Sequence, residues 1–276
     1  MTIRNSLIQD ILSKRSLIQE LVIKDLKIRY SRPMLGFIWS FLSPFLTALV
    51  FYVVFSLILK VKIEEAPFLL YLMSAVFPWR FFQDSLMSST TCLMDNKNLI
   101  RESNFPHFLI PISIILANMV NFLPSLLILI IISFFILKGF PIFIIFFPFV
   151  LAIHLIITIG LSVMLSTLYV KWRDTKYILE IVLLLLLYLT PAFYSIYLVK
   201  TTFPPVLFKA YIYNPFVCLL NLYRITLFKG FYSFIQKDIG ILSLIFVPVA
   251  FAVVFLFLGF YFYRRNKGII NDYLSY

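Results

Sequence analysis

Lys24–Phe45 reads KDLKIRYSRPMLGFIWSFLSPF. Its basic residues, Lys24, Lys27, Arg29 and Arg32, all precede Pro33, and from Phe37 the chain stays largely apolar to Leu59. Positive charge gathered against the front edge of a long apolar run is the pattern of a helix entering a bilayer, with its basic flank held among anionic headgroups. The whole chain agrees. Its 276 residues are 62% hydrophobic and only 13% charged, against about 25% charged in a soluble domain. Folding alone cannot hide that much apolar surface from water, so lipid is the expected solvent.

The net charge of +12 lies between the apolar runs, which points to membrane topology and away from nucleic acid. Cys92 and Cys218 are the only cysteines, and the expected topology puts them near opposite faces, which argues against a disulfide or a metal site. The first 36 residues are polar and basic, unlike a cleavable signal peptide.

Six spans are expected: Phe37–Leu59, Phe68–Met94, Phe108–Leu137, Ile142–Val170, Ile178–Val199 and Ile241–Tyr263. The runs are long and unbroken, so they read as helices, which satisfy their own backbone groups in hydrocarbon, and not as the short alternating strands of a barrel. The fold class is therefore an all-α polytopic membrane protein forming one transmembrane domain over residues 1–276. Residues 1–36 form an N-terminal segment, 37–263 the six-span core and 264–276 a tail. Basic residues before the first span, at Lys97 and Arg101, at Lys171, Arg173 and Lys176, and at Arg264, Arg265 and Lys267 all fall on one side, which the positive-inside rule makes cytoplasmic. Both termini are then inside.

Ser16 to Tyr30 has the spacing of an amphipathic helix. Leu17, Leu21, Val22, Leu26 and Tyr30 share a face, and Glu20, Lys24 and Lys27 oppose it. Such a helix would lie in the membrane plane. Asp25 and Arg29 are i,i+4 and project from the apolar side; they suit either an internal ion pair or contact with another protein. Residues 200–240 mix prolines, aromatics and short apolar runs, and read as one or two short helices on, or dipping into, the outer leaflet.

Polar residues inside spans are costly and therefore informative. Arg80 and Asp84 can pair on one face of the second span, either to neutralise each other or to line a wet path. Trp79 sits beside them, and Asn118 and Asn121 project from the third span. His154, Thr158, Ser162 and Ser166, spaced by four, suit a helix-packing seam better than a channel wall. Aromatic residues reach 18%; Tyr188 and Tyr194 fall where an outer mouth would be, and such rings can stack on sugars or sit in an interfacial belt. None of the glycines makes a phosphate loop, and no metal cluster, paired carboxylates or nucleophile elbow stands out.

IKDLKIRYSRPMLGFIWSFLSPFL resembles the N-terminal signature of ABC-2 type permeases that export polysaccharides, through Asp25, Leu26, Arg29, Tyr30, Leu35, Gly36, Trp39 and Pro44. FPWRFF, with Arg80 as an unusual residue, resembles that family's second-span motif. Asn96, Leu99, Ile100, Phe105, Pro106 and Pro111 match its next segment, Arg173 and Asp174 a later one, and Asn214, Pro215, Arg224 and Gly230 an outer one. The resemblance implies a six-span permease, working as a homodimer with two separate ATP-binding subunits. Such an assembly moves a lipid-linked polysaccharide, O-antigen-like and carried on a polyprenyl diphosphate, across the bacterial cytoplasmic (inner) membrane. ATP and Mg would be bound by the partner, and this chain would hold no cofactor. It also implies ATPase-subunit contacts at Asp25, Arg29, Tyr30, Asn96, Leu99, Arg101 and Phe105. The candidate translocation path is Trp79, Arg80, Asp84, Asn118, Asn121, Tyr188 and Tyr194, and the outer mouth Asn214, Pro215 and Arg224.

The alternatives are an ABC-2 exporter of a drug or lipid, a membrane-embedded glycan-modifying enzyme, and a secondary transporter. His107 and His154 have no catalytic constellation around them. No internal symmetry suggests the inverted repeats of a secondary transporter.

Overall fold

The computed structural model describes residues 13–30, 38–58, 60, 63, 66–102, 106–139 and 141–275. Leu35, Gly36, Phe105 and both ends of the expected first span lie outside them. Among the described residues the structure is helical, with no strand.

Helix α1, Arg15–Tyr30, is followed by α2, Trp39–Phe51, which continues into a wider π-helical stretch at Tyr52–Ile58. Then come α3 (Phe68–Asp95), α4 (Lys97–Glu102) and α5 (Leu109–Leu137). Lys138 in the left-handed region and Gly139 at φ +135° turn the chain after α5; only glycine adopts the second angle without strain. A 3-10 turn at Ile142–Phe146 leads into α6, Phe147–Lys171. Next are α7 (Thr175–Tyr188), α8 (Ile196–Thr202), α9 (Pro205–Ile212), α10 (Pro215–Leu227), α11 (Phe231–Ile235) and α12 (Ile241–Ser275).

Four stretches are long and apolar enough to cross a membrane: Phe41–Ile58, Leu109–Leu137, Ile142–Lys171 and Ile241–Gly268. The α9–α10 pair, bent by 68°, makes a fifth if it is one span. Helix α3 has 28 residues, enough for about 42 Å, but Arg80–Thr91 makes it too polar for that group. It can be polar because it is the central helix: Leu70, Tyr71, Leu72 and Met73 are fully buried, and α2, α5, α6, α7 and α10 all pack on it.

The expected span Ile178–Val199 is not one continuous helix. Helix α7 stops at Tyr188 after 14 residues, and residues 189–195 are not α-helical. Pro191 has no N–H for an α-helical bond and biases Thr190 toward extended backbone, which ends the helix there.

The α9–α10 pair dips into the bundle and returns. At its tip Phe216 packs on Trp79 and Phe82 of α3 and Phe251 of α12. Higher up, Ser133 of α5, near that helix's end, donates to the Leu227 carbonyl at 2.9 Å. The flanks meet again: Lys200 of α8 pairs with Asp238, beyond α11, at 2.6 Å. Both ends of the pair therefore lie on one face.

Helices α6 and α12 form the closest pairing. Gly160 and Gly259 face each other with backbone touching backbone; a Cβ on Gly160 would stand 2.5 Å from Leu256 N. The His154–Ser166 stripe is buried, with Thr158 Oγ1 donating to the His154 carbonyl and Ser166 Oγ to the Val163 carbonyl. It is a packing seam, where small side chains let helices approach.

A second core lies at the opposite end of α3 from the dipping pair. Ile18 of α1, Cys92 and Leu93 of α3, Ile100 of α4, Phe108, and Tyr263 and Ile270 of α12 pack together. His107 N–H donates to Tyr263 Oη at 3.1 Å. Burial, and secondarily the charge of Lys267, hold the His107 imidazole below its usual pKa, so it stays neutral in this cluster. Cys92 and Cys218 are buried and free.

Candidate functional site

Helices α1, α2, α3 and α5 surround a cavity of about 230 Å³. Helix α1 contributes Arg29 and Tyr30, α2 Trp39, Ser43 and Pro44, α3 Arg80 and Asp84, and α5 Asn118, Asn121 and Ser125; Phe77, Phe81 and Phe122 form its apolar wall. This volume far exceeds the roughly 15 Å³ that one water needs.

The amphipathic pattern of α1 is what brings Arg29 and Tyr30 here. Its apolar side seats Ile18 and Leu21 in the protein, and the helix runs along α5. Arg29 Nη1 then donates to Asn118 Oδ1 at 2.8 Å, and Tyr30 Oη to Asn121 Oδ1 at 2.5 Å. Asn118 Nδ2 donates in turn to Ser88 Oγ at 3.1 Å, and Ser88 Oγ to the Asp84 carbonyl. Arg29 also pairs with Asp25 at 3.3 Å, so the internal ion pair is formed. Lower on α1, Lys24 Nζ donates to Asn96 Oδ1 at 3.1 Å. A polar chain therefore runs from α1 through the amides of α5 to α3.

Arg80 and Asp84 pair at 3.5 Å with side chains 43% and 53% exposed. Arg80 Nη2 donates to Ser43 Oγ at 3.1 Å, and the charge of Arg29 also acts at Asp84. The pair lines a roomy cavity and is not sealed in a dry core. A half-exposed i,i+4 pair contributes about 0.3–0.5 kcal/mol. In a thermal-unfolding cycle of Arg80→Ala, Asp84→Ala and the double variant, we expect a coupling of that size; a coupling above about 2 kcal/mol would mean a closed, dry site.

The structure gathers Arg80, Asp84, Asn118 and Asn121 around one cavity and adds Arg29 and Tyr30, which the resemblance placed at the ATPase contact. Trp79 does not line this cavity but is buried against Phe82 and Phe216. Tyr188 and Tyr194 lie at the far end of the bundle. Tyr194 Oη donates to the Tyr188 carbonyl at 2.9 Å, and Tyr71 Oη to the Tyr194 carbonyl at 3.0 Å. Leu99 and Arg101 are on α4, beside Asn96.

The outer-mouth trio lies at the start of α10 and within it. Asn214 caps α10, its side chain accepting from Phe216 N–H at 2.9 Å, and Pro215 opens that helix. Both sit at the tip of the dipping pair. Arg224 is fully buried. Its Nε donates to Ser74 Oγ at 3.3 Å, its Nη2 to the Pro191 carbonyl at 2.5 Å, and its guanidinium lies 3.4 Å over the Tyr71 ring. It pins α10 to α3 and to the break after α7. Ser43 and Ser125 also line the cavity, and neither stands out in the sequence. Single serines in apolar runs are common at helix seams, so only their convergence marks them.

Residues 16–228 match the family model described as ABC-2 type transporter. A permease of Myxococcus xanthus, named O-antigen export system permease protein RfbA, is 28% identical over 218 residues, covering 79% of this chain and 82% of its own. Two proteins of the same name from Klebsiella pneumoniae are 28% and 29% identical over 216 residues, covering 75% of this chain and 78% of theirs. The family match spans well over half of the sequence, including α1, the cavity and the dipping helices. The chain is thus a multi-pass membrane protein of the ABC-2 type transporter family.

Proposed function

We propose that this chain is the transmembrane permease subunit of an ATP-driven exporter that moves a lipid-linked, O-antigen-like polysaccharide across the bacterial cytoplasmic (inner) membrane. The observation that carries this reading is the likeness, over three quarters or more of the chain, to permeases named for O-antigen export.

In this reading the chain crosses six times, through α2, α3, α5, α6, α7 with the stretch after it, and α12, and both termini are cytoplasmic. Helix α7 alone provides about 21 Å, so residues 189–195 complete the fifth crossing, while α9–α10 enter and leave through the outer face. Two copies pair with two ATP-binding subunits, which hold ATP and Mg. Helix α4, with Leu99 and Arg101, and the exposed side of α1 form the docking surface for that subunit. A push on α1 reaches the cavity through Arg29–Asn118 and Tyr30–Asn121. ATP binding elsewhere biases the permease only if those contacts differ between two states. The substrate's carrier is a polyprenyl diphosphate.

Deleting the chain in its host is expected to strip the glycan from the cell surface and to leave lipid-linked glycan inside. The purified chain alone should hydrolyse no ATP, and hydrolysis should appear on adding its ATP-binding partner. Unchanged surface glycan in the deletion strain would overturn the reading.

A further inference from the structure

The cavity's position and charge say more about its ligand. Ser43, which accepts from Arg80, lies in the first turn of the apolar stretch Phe41–Ile58. The Arg80 guanidinium, near the middle of α3, is thereby held beside the start of that stretch. Trp39 forms one wall and is itself 45% exposed, as an interfacial tryptophan would be. That wall is open on the outside of this chain.

Among the described residues, two guanidinium groups line the cavity with one carboxylate, Asp84; Asp25 pairs with Arg29 from outside the lining. The Arg80–Asp84 contact of 3.5 Å is well beyond the 2.7–2.9 Å of a charge-assisted hydrogen bond. Asp84 therefore does not clamp the Arg80 guanidinium in a two-pronged fork. Guanidinium is the side-chain group best shaped to take phosphate oxygens in pairs. The Tyr30 hydroxyl and the amides of Asn118 and Asn121 add neutral donors and acceptors around it. These groups already bond to one another, which fixes a polar lining in which a cation would face two positive charges.

We propose that the cavity binds the phosphate-bearing headgroup of a membrane lipid, with Arg80 and Arg29 as its anion-holding pair. Taking that lipid to be the diphosphate carrier of the exported glycan rests on the function proposed above; the phosphate chemistry does not. Each guanidinium donates toward the phosphate oxygens. Arg29 does so from the helix that also touches Asn118, so headgroup occupancy and the seating of α1 are felt by the same side chain.

The test is equilibrium binding of radiolabelled farnesyl diphosphate to the purified full-length protein in a phosphate-free maltoside detergent. Saturable binding is expected, with farnesol failing to compete. Arg80→Gln and Arg29→Gln should each weaken it about tenfold or more, since a hydrogen bond to a charged group contributes about 1.5–3 kcal/mol. Arg80→Lys should keep most of the binding. Arg80→Gln/Asp84→Asn, which removes the pair without leaving a lone charge, should fold like the parent and still bind weakly. Competition by phosphatidylglycerol as strong as by unlabelled farnesyl diphosphate assigns the site to phospholipid headgroups at large, and a preference for the diphosphate assigns it to the isoprenoid carrier; either supports the proposal. Full binding by both glutamine variants overturns it, as does inorganic pyrophosphate binding as tightly as the lipid. Lost binding in the glutamine variants with glycan export intact overturns the carrier assignment and leaves the phosphate site and the export function standing. Tight binding in a protein whose deletion leaves the surface glycan unchanged overturns the export function and leaves the phosphate site standing.

Discussion

Arg224→Met is expected to destabilise the folded protein by about 3 kcal/mol, the cost of leaving buried acceptors without their donor. Arg224 is fully buried and donates to the Ser74 hydroxyl and to the carbonyls of Tyr71 and Pro191. Methionine fills much of the same volume but donates nothing, so those oxygens stay desolvated and unmatched. Arg224→Lys keeps the charge but cannot reach both Ser74 and Pro191 with one planar fork, and should recover only part of the loss. Thermal unfolding in detergent is the measurement. A loss below about 1 kcal/mol, the ordinary value of one hydrogen bond, would show that Arg224 does not hold α10. Because α10 is half of the dipping pair, its release should also expose the α9–α10 turn to proteolysis before the rest of the bundle.

The second large effect is expected at the α6–α12 seam. Gly160→Leu or Gly259→Leu should cost about 3 kcal/mol or more, the upper end for overpacking a core. A side chain at Gly160 meets the backbone of Phe255 and Leu256, and one at Gly259 meets the Gly160 carbonyl. Backbone cannot rotate aside as a flexible side chain does, so the helices must move apart along their length. Gly240 is the control. A Cβ there meets nothing within 4 Å, and Gly240→Ala should stay within about 0.5 kcal/mol. Equal melting of Gly160→Leu and Gly240→Ala would contradict the close seam.

Much of the cavity was legible in the chain, but only as separate residues. Arg80, Asp84, Asn118 and Asn121 stand out because charge and amide groups are costly in hydrocarbon. Arg29 and Tyr30 stand out by their motif. The pattern could not say that α1 leans on α5, which joins the two sets. Trp79 and Arg224 mislead for one reason: a polar or aromatic group near a membrane boundary can face a path or be consumed in packing. Both are buried here, Trp79 against Phe216 and Arg224 over Tyr71.

The linear chain by itself determined the solvent, the all-helical class and the positions of most long helices. These depend on composition and local periodicity: apolar runs of span length must satisfy their own backbone, and basic flanks must stay in water. Only the tertiary structure decided that the fifth run breaks at Pro191, that α9–α10 dip and return, and that two arginines meet across one cavity. Those outcomes depend on contacts between residues far apart in sequence, such as Lys200 with Asp238, Arg224 with Tyr71 and Arg29 with Asn118. No local pattern encodes such pairs, because each side chain has several partners it could satisfy and packing selects one.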